Sequence, residues 1–300
     1  MYAAIDIGTN SVRLLLYDEK TGEKRKFLST TRIGEGLVSS GVLSVPGMER
    51  THRAIMDYYS YALEQGAQLP IYCYATSAVR QAANGPEFMN MLRGKQGLIA
   101  EIISGEAEAE YGFLGAIGHG SGVVMDIGGG STEFIAGQDG KILRSGSALL
   151  GCVSSLERCV QEDPPTGGEI DTLRAYIRER AVPLCRQVLE DRSPSAITGI
   201  GGTATQLAMI LTGAEFYTPE LINGMRISRD QLEELMQRLI SMDLKTRKAL
   251  PGMDPNRADV IVSGGLITLE MLLAAGCKTL VVCDDDGLDG YLLCRVAESG

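Results

Sequence analysis

Residues Asp6–Ser11 read DIGTNS, and residues Asp126–Ser131 read DIGGGS 120 positions later. Each segment follows a short apolar run, turns on glycine, and leads into a second strand-like run that ends in a polar turn. Such a unit is typical of a β-hairpin with a glycine-rich turn. Because the unit occurs twice in the same context, the sequence predicts two similar halves, each with one glycine turn and one carboxylate.

The two glycine turns have the composition of an anion-binding site. A glycine turn exposes consecutive backbone N–H groups and has no Cβ to block a close phosphate. One such hairpin alone would be unremarkable, but two matching turns could face each other and hold a phosphate between them. The predicted phosphate-binding residues of the two turns are Gly8, Thr9, Asn10, Ser11, Gly128, Gly129, Gly130, Ser131 and Thr132.

Carboxylates beside these turns predict a site for a divalent cation. Asp6 and Asp126 end the first strand of each unit, and Glu133 lies seven positions after Asp126. Across a hairpin, Asp126 and Glu133 could meet and share a metal. Mg²⁺ prefers such hard oxygen ligands and usually takes one or two carboxylates. Asp6, Asp126 and Glu133 are therefore the predicted ligands, with a solvated strand position as the ordinary alternative for Glu133.

The composition argues against several classes of protein. The chain has 300 residues, of which 44% are hydrophobic, and a net charge of −10. This acidity disfavours nucleic-acid binding, and it requires any phosphate site to be locally positive. No apolar run is long enough to span a membrane. A strand rather than a secretory signal stands at the N-terminus, so we expect a cytoplasmic protein.

Side chains for other common chemistries are scarce. The only histidines, His52 and His119, lack ligand spacing, which disfavours a zinc site and a Ser-His-Asp hydrolase. The seven cysteines are scattered, odd in number and mostly in apolar runs. We expect them to be reduced, buried thiols.

The order of elements predicts an α/β fold in two domains. In each half a meander of three strands precedes strands that alternate with helices, which indicates α/β layering. The run GHGSG at Gly118–Gly122 is the clearest boundary in the chain. The predicted domains are residues 1–118 and 119–300, with the option that the last helix, 287–300, packs back onto the first domain.

Arg80 is a candidate phosphate ligand outside the two turns. The segment Thr76–Arg80 begins where the predicted strand 71–75 ends. Ligands of open α/β sheets gather at the carboxyl ends of strands, and arginine can pair with phosphate through two hydrogen bonds. From the chain alone, an ordinary surface arginine on a helix is an equal alternative.

Glu108 is the candidate general base. Three acids open a predicted helix, where carboxylates commonly oppose the helix dipole. Glu106 and Glu110 are four residues apart and share one face, whereas Glu108 points nearly opposite, in line with Gly112 and Gly115. Glycines at those positions would admit another backbone or a ligand, so Glu108 alone is placed to act on bound substrate.

Three further segments have weaker signals. Gly201-Gly202 follows a predicted strand and opens a helix, which suits anion binding. Gly264-Gly265 lies within a helix and is expected to permit close packing. The acidic run Asp284–Asp289 is interpreted as an N-cap cluster, because it lacks the glutamate of a calcium-binding EF-hand loop. None of them matches the Rossmann or P-loop motifs.

Five of these segments, taken in order, resemble the phosphate-1, connect-1, phosphate-2, adenosine and connect-2 motifs of the actin-like ATPase and sugar-kinase superfamily. They are Asp6–Ser11, Ala75–Gln81, Asp126–Glu133, Ile197–Thr203 and Val260–Leu269. More narrowly, the chain resembles the exopolyphosphatase / guanosine pentaphosphate phosphohydrolase (Ppx/GppA) family over essentially its whole length. The motifs that carry this resemblance are DIGTNSVR from Asp6, RIGEG from Arg32, ATSAVRQ from Ala75, ISGEAEA from Ile103, DIGGGSTE from Asp126 and LGCVS from Leu150.

The resemblance implies two actin-like (ribonuclease H-like) domains with the active site in the cleft between them. It implies that Mg²⁺ or Mn²⁺ assists hydrolysis of the terminal phosphate of linear polyphosphate or of guanosine pentaphosphate. Glu108 matches the family's proposed catalytic base, Asp126 and Glu133 match acidic site residues, and Arg80 matches a motif arginine.

Two departures and three alternatives remain at this stage. The chain looks like the short two-domain form of the family, and the family's Gly-Leu-Arg-Glu-Gly becomes Gly287-Leu288-Asp289-Gly290, without the arginine. The alternatives to an exopolyphosphatase are a guanosine pentaphosphate phosphohydrolase, an ATP-dependent kinase and a non-enzymatic ATP-binding assembly protein. The apolar C-terminal helices would permit a homodimer.

Overall fold

Two sheets with the same strand order form the frame of the protein. The computed structural model describes residues 1–190 and 192–299. The first sheet has the order β3-β2-β1-β4-β5, and the second has the order β10-β11-β9-β6-β7-β8. The strands are β1 (Tyr2–Ile7), β2 (Ser11–Tyr17), β3 (Lys24–Thr30), β4 (Ile71–Ala75), β5 (Leu98–Ile102), β6 (Gly122–Ile127), β7 (Thr132–Gln138), β8 (Lys141–Ala148), β9 (Ile197–Ile200), β10 (Arg226–Ser228) and β11 (Thr279–Val282).

The repeated sequence motif belongs to a strand topology that is repeated in the two sheets. In the first sheet β3, β2 and β1 are antiparallel neighbours, while β4 and β5 continue parallel to β1. In the second sheet β8, β7, β6, β9 and β11 follow the same pattern, and β10 adds one antiparallel edge strand. Each glycine turn therefore links the central strand of its sheet to the next strand, at the carboxyl end where ligands collect.

Helices cover the sheets and join them. They are α1 (Leu37–Ser40), α2 (Val45–Glu64), α3 (Ser77–Gln81), α4 (Gly85–Arg93), α5 (Gly105–Ile117), α6 (Cys152–Cys159), α7 (Gly167–Leu189), α8 (Gly201–Thr212), α9 (Pro219–Ile222), α10 (Arg229–Ile240), α11 (Leu244–Lys248), α12 (Ile261–Ala274) and α13 (Gly287–Ser299). Helix α2 buries one face, through Thr51, Ile55, Tyr59 and Ala62 at helical spacing, whereas α12 is buried on nearly every side. The short elements α1, α9, α11 and β10 have too few residues to show a period.

Helix α5 is the structural link between the two sheets. Ser104 caps it by accepting a hydrogen bond from the N–H of Ala107 at 3.2 Å. Ala109 and Phe113 pack against Val124 of the second sheet, and the helix also lies along α13. Gly118 ends α5 with a φ of 59°, a conformation that favours glycine.

The last helix packs on the first sheet although it follows the last strand of the second. Leu288, Tyr291 and Leu292 of α13 share a buried cluster with Tyr72 and Tyr74 of β4. The terminal segment therefore crosses from one sheet to the other, as α5 does in the opposite direction. Gly300, the final residue of the predicted helix 287–300, lies outside the described residues.

Gly115, one of the two glycines in line with Glu108, serves this helix pairing together with Gly290. A β-carbon on Gly115 would lie 2.0 Å from the carbonyl oxygen of Asp286, and one on Gly290 would lie 1.9 Å from that of Tyr111. The sequence left open whether a backbone or a ligand approaches Gly112 and Gly115. Gly115 meets the backbone of the terminal segment, and Gly112 meets the side chain of Ile200. Gly264 and Gly265 also permit close helix packing, as expected, against Thr203 and Met236.

Two other expectations from composition can be compared with the fold. All seven cysteines are free thiols, five of them buried, as predicted. Within residues 1–190 and 192–299, no helix combines the length and the apolar character needed to cross a bilayer.

Replacing Gly290 with alanine should destabilise the protein. The new β-carbon would collide with backbone rather than with a flexible side chain, so α13 would have to shift away from α5 at a cost of roughly 1–3 kcal/mol. Thermal and denaturant unfolding should detect this loss. Gly167→Ala is the control, because a β-carbon there meets no atom within 4 Å; equal stability of the two variants would contradict the packing argument.

Candidate active site

The two glycine turns meet at the floor of a cavity between the sheets. The cavity has a volume of about 570 Å³ and is lined by both turns. The turns touch directly, since a β-carbon on Gly129 would lie 2.7 Å from Cβ of Thr9, and one on Gly130 would lie 2.7 Å from Oγ of Ser77. Glycine is required at these two positions because the backbone of one domain lies against side chains of the other.

Backbone donors at this floor are available to a ligand. The N–H groups of Gly8 and Gly128 close their turns onto the carbonyl oxygens of Ser11 and Ser131, each at 3.0 Å. Among the described residues, no backbone acceptor takes the N–H groups that follow, which are those of Thr9, Asn10, Gly129 and Gly130. The buried hydroxyl of Thr9 also has no partner there. These donors suit one anion between the turns.

The two hairpins differ at one equivalent position. Asp6 pairs with Arg13 across β1 and β2, whereas Asp126 pairs with Glu133 across β6 and β7. Arg13 donates from Nε and Nη2 to Oδ2 of Asp6 at 2.9 and 2.5 Å. The carboxylate of the first hairpin is therefore neutralised by its neighbour, while that of the second faces another acid.

Glu108 projects from the first turn of α5 into the cavity, and its neighbours hold it in place. Arg80 donates from Nη1 to Oε2 of Glu108 at 3.1 Å and to the carbonyl oxygen of Ile103 at 2.8 Å. Glu133 lies behind and accepts a hydrogen bond from Oγ of Ser147 at 2.7 Å. Its other oxygen, Oε2, is buried without a partner.

The crowding of acids raises their proton affinity. Burial, and after it the charge of Asp126, raises the pKa of Glu133 to about 7. Burial and the charge of Glu133 raise the pKa of Glu108 well above its ordinary value, although Arg80 opposes the shift. The pKa of Asp126 is raised well above its usual range by burial and then by the charge of Asp286. The site therefore favours either a proton or a cation at these carboxylates.

Asp286 brings the terminal segment to the site. Its carboxylate pairs with Nη1 of Arg13, so this arginine bridges Asp286 and Asp6. Although burial opposes it, pairing with Arg13 and the nearby charge of Lys26 hold the pKa of Asp286 below its ordinary value. Asp286 also accepts a hydrogen bond from the N–H of Leu288 at 2.9 Å, which agrees with the predicted capping role of the acidic run.

The cavity brings most of the predicted site residues together. Asp6, Gly8–Ser11, Glu108, Asp126 and Gly128–Ser131 all line it. Arg80, Thr132 and Glu133 do not. Arg80 and Glu133 stand directly behind Glu108, and the hydroxyl of Thr132 donates to the carbonyl oxygen of Leu150.

Three cavity cations had no predicted role: Arg13, Lys26 and Arg257. Arg13 has a recognisable signal, because it occupies the position in the first hairpin that Glu133 occupies in the second. Arg257 has none, since it lies 55 residues beyond the Gly202 that it contacts. Within the described part of the chain, the guanidinium of Arg257 makes no ion pair, so it is free to bind an anion.

The residues present fit a divalent cation at the second hairpin. Asp126 and Glu133 are adjacent hard oxygen donors, and Glu133 has an unpartnered buried oxygen. No group of three acidic, histidine or cysteine side chains in the described ranges is arranged to hold a metal. Two carboxylates completed by water and substrate are a usual coordination of Mg²⁺. Asp6 fits less well, because Arg13 occupies one of its oxygens.

Comparisons with known proteins agree on one family. The family model described as the Ppx/GppA phosphatase family matches residues 24–288. Exopolyphosphatase 2 of Mycobacterium tuberculosis is 37% identical, and the match covers 97% of each chain.

Solved structures share the whole architecture. The crystal structure of an exopolyphosphatase-like protein matches with a TM-score of 0.92 at 26% identity, over 100% of this chain and 99% of that one. An exopolyphosphatase from Cytophaga hutchinsonii matches with a TM-score of 0.88 at 25% identity, over 99% and 98%. The predicted fold class, two actin-like α/β domains, is confirmed.

The metal-free protein should lose stability as the pH rises towards neutrality. The pKa of Glu133 is about 7 in the folded protein against 4.5 for an unperturbed glutamate. Between these values the folded state binds more protons than the unfolded chain, so the free energy of unfolding falls with pH by up to roughly 3 kcal/mol. Melting temperatures measured from pH 4.5 to 8 with a chelator would check this.

Glu133→Gln should make this pH profile shallower, because it removes one of three carboxyl groups with a raised pKa and keeps an acceptor for Ser147. Glu110→Gln, on the exposed face of α5, should leave the profile unchanged. A melting temperature that rises with pH in the unaltered protein would contradict the assignment.

Proposed function

The chain belongs to the Ppx/GppA phosphatase family, and on this basis we propose that it is an exopolyphosphatase. It releases orthophosphate from the end of linear polyphosphate by attack of water. The observation that carries the proposal is the pair of facing glycine turns with unpaired backbone donors, beside which Glu108 enters the same cavity.

The terminal phosphate binds between the two turns. The N–H groups of Thr9, Asn10, Gly129 and Gly130 converge there from both domains. Donors that are already fixed by the fold stabilise charge on the equatorial oxygens of a transferring phosphoryl group without reorganisation. Arg257 is an additional unpaired cation for the phosphates that follow.

Glu108 orients and deprotonates the attacking water. Its hydrogen bond to Arg80 fixes the carboxylate, and its raised pKa makes it a stronger base than an ordinary glutamate. A general base contributes about 10²–10⁴-fold to the rate. Positioning and electrostatic stabilisation supply most of the remainder.

Asp126 and Glu133 are the residues that would hold a divalent cation, Mg²⁺ or Mn²⁺. When bound, such an ion would supply positive charge to the phosphate oxygens and relieve the repulsion between the two acids. Arg13 has the equivalent role in the first hairpin, where it neutralises Asp6. The two halves would thus balance charge in different ways around one phosphate.

Hydrolysis of guanosine pentaphosphate is the second candidate, and one observation favours it. The cavity includes apolar surface from Met209, Met253, Pro255, Tyr217 and Phe27. An inorganic chain has no group that would gain from contact with this surface, whereas a nucleoside would. The same surface could accept the adenosine of ATP, which is what the kinase and assembly-protein alternatives require.

A side-by-side assay would separate these functions. Phosphate release is measured with linear polyphosphate, guanosine pentaphosphate and ATP as substrates, each with Mg²⁺, with Mn²⁺ and with a chelator. The proposal predicts the highest kcat/KM with polyphosphate. A preference for guanosine pentaphosphate would establish the second candidate, and tight ATP binding without phosphate release from any substrate would overturn both.

Glu108→Gln should abolish most turnover and preserve binding. The amide keeps the shape of the side chain but cannot accept a proton from water, so kcat should fall about 10²–10⁴-fold. Orthophosphate release and calorimetric binding of tripolyphosphate would measure the two effects. Glu110→Gln, two residues along the same helix and exposed, is the matched control; unchanged kcat in Glu108→Gln would remove this residue from catalysis.

A further inference from the structure

A set of ion pairs at one end of the cavity joins the first sheet to the terminal segment. We call it the clasp; its members are Lys24 and Lys26 of β3 together with Asp284, Asp285 and Asp289. Nζ of Lys26 lies 2.8 Å from Asp289 and 3.4 Å from Asp284, and Nζ of Lys24 lies 3.0 Å from Asp285 and 3.0 Å from Asp289. Lys26 and Asp284 also line the cavity.

The two lysines extend a row of cations that begins at the phosphate turn. Arg13 stands opposite Leu28 in the pairing of β2 with β3, and Lys26 and Lys24 follow Leu28 at successive two-residue steps away from the turn. Residues two apart on a strand share a face, and each step is about 7 Å. The row Arg13, Lys26, Lys24 therefore leads out of the cleft along one face of the sheet.

Both lysines pair with one buried acid of the terminal segment. Nζ of Lys26 and Nζ of Lys24 each form an ion pair with Asp289. Positive charge at this end of the cavity comes from the first sheet rather than from the start of α13.

The clasp is an arrangement that a polyanion could displace in part. The side chains of Lys24, Lys26 and Asp285 are 30%, 26% and 40% exposed, and the ion pairs with Asp285 contribute only about 0–1 kcal/mol each. The side chain of Asp289 is buried, so its pairs with both lysines are the part of the clasp that stays in place. Lysine is a flexible point charge that can exchange one anion for another by rotating its stem. The clasp has three carboxylates and two ammonium groups, so the acids share the lysines among them.

We propose that Lys26 and Lys24 bind the part of the polyphosphate chain that leaves the cleft, in competition with the acids of the clasp. The two lysines thereby determine the preference for long chains over short ones. This inference rests on the proposed function, because only a substrate with a repeating anionic chain would extend from the turns along the row.

The first test compares chain lengths. The double variant Lys24→Gln/Lys26→Gln should raise KM for long-chain polyphosphate about tenfold, since two charge contacts of roughly 0.7 kcal/mol each are lost. KM for tripolyphosphate, which fills only the inner part of the cavity, should change much less. The dependence of log KM on log salt concentration should also become shallower with long chains.

Arg25→Gln is the matched control. Arg25 stands between the two lysines on β3 but faces the other side of the sheet, where it donates to Gln65 at 3.0 Å. Arg25→Gln removes a positive charge from the same strand. Because that charge lies on the other side of the sheet, KM for long chains should stay near that of the unaltered protein. An equal rise in KM with Arg25→Gln would mean that net charge alone is responsible, and would overturn the proposal.

A second variant separates substrate binding from a purely structural role. Asp285→Asn removes a competitor and should lower KM for long chains, opposite in direction to the lysine variant. If the clasp only holds β3 against the terminal segment, the lysine double variant and Asp285→Asn should both raise KM and both lower the melting temperature. If the unaltered protein hydrolyses neither long-chain polyphosphate nor tripolyphosphate, the proposed function is wrong. If the protein is active but the lysine variant has an unchanged KM for long chains, only this inference is wrong.

Discussion

The repulsion between Asp126 and Glu133, directly opposed on neighbouring strands, is the constraint around which the site is organised. Two buried carboxylates at directly opposed strand positions repel each other, which favours a proton or a cation at one of them. The equivalent rung of the first sheet is Asp6 with Arg13, where the protein supplies the cation itself. The duplicated fold thus brings together one carboxylate that is neutralised by an arginine and one that faces another acid.

The same duplication explains why so much glycine lies at the domain interface. The turns approach until Gly129 and Gly130 touch Thr9 and Ser77, and this contact brings the backbone donors of both turns to one cavity. At the other end of α5, Gly115 and Gly290 let two helices cross at backbone distance. In both places the absence of a β-carbon lets separate parts of the chain meet closely enough to build the cleft.

Charge in the cavity is mostly matched within the protein itself. Arg13 and Lys26 are held by acids, and Arg257 is the cavity cation without an ion pair among the described residues. An acidic protein can bind a polyanion only where the local potential is positive, and backbone donors and Arg257 are available for this in the cavity. The apolar surface around Met253 does not contribute to this potential, which is why a nucleoside-containing substrate stays the second candidate.

The sequence by itself determined the duplicated α/β architecture, both glycine turns and the distinct position of Glu108 on its helix. These follow from local rules, namely glycine in tight turns, strand and helix periods, and the face on which a helical residue points. Tertiary structure alone decided that Arg80 and Glu133 stand behind Glu108, that Arg257 reaches the cavity, and that the acidic run near Asp286 takes cations from β3. Such contacts join residues that are tens to hundreds of positions apart. Local sequence patterns report only neighbours along the chain, so they do not show which distant charged residues come into contact when the chain folds.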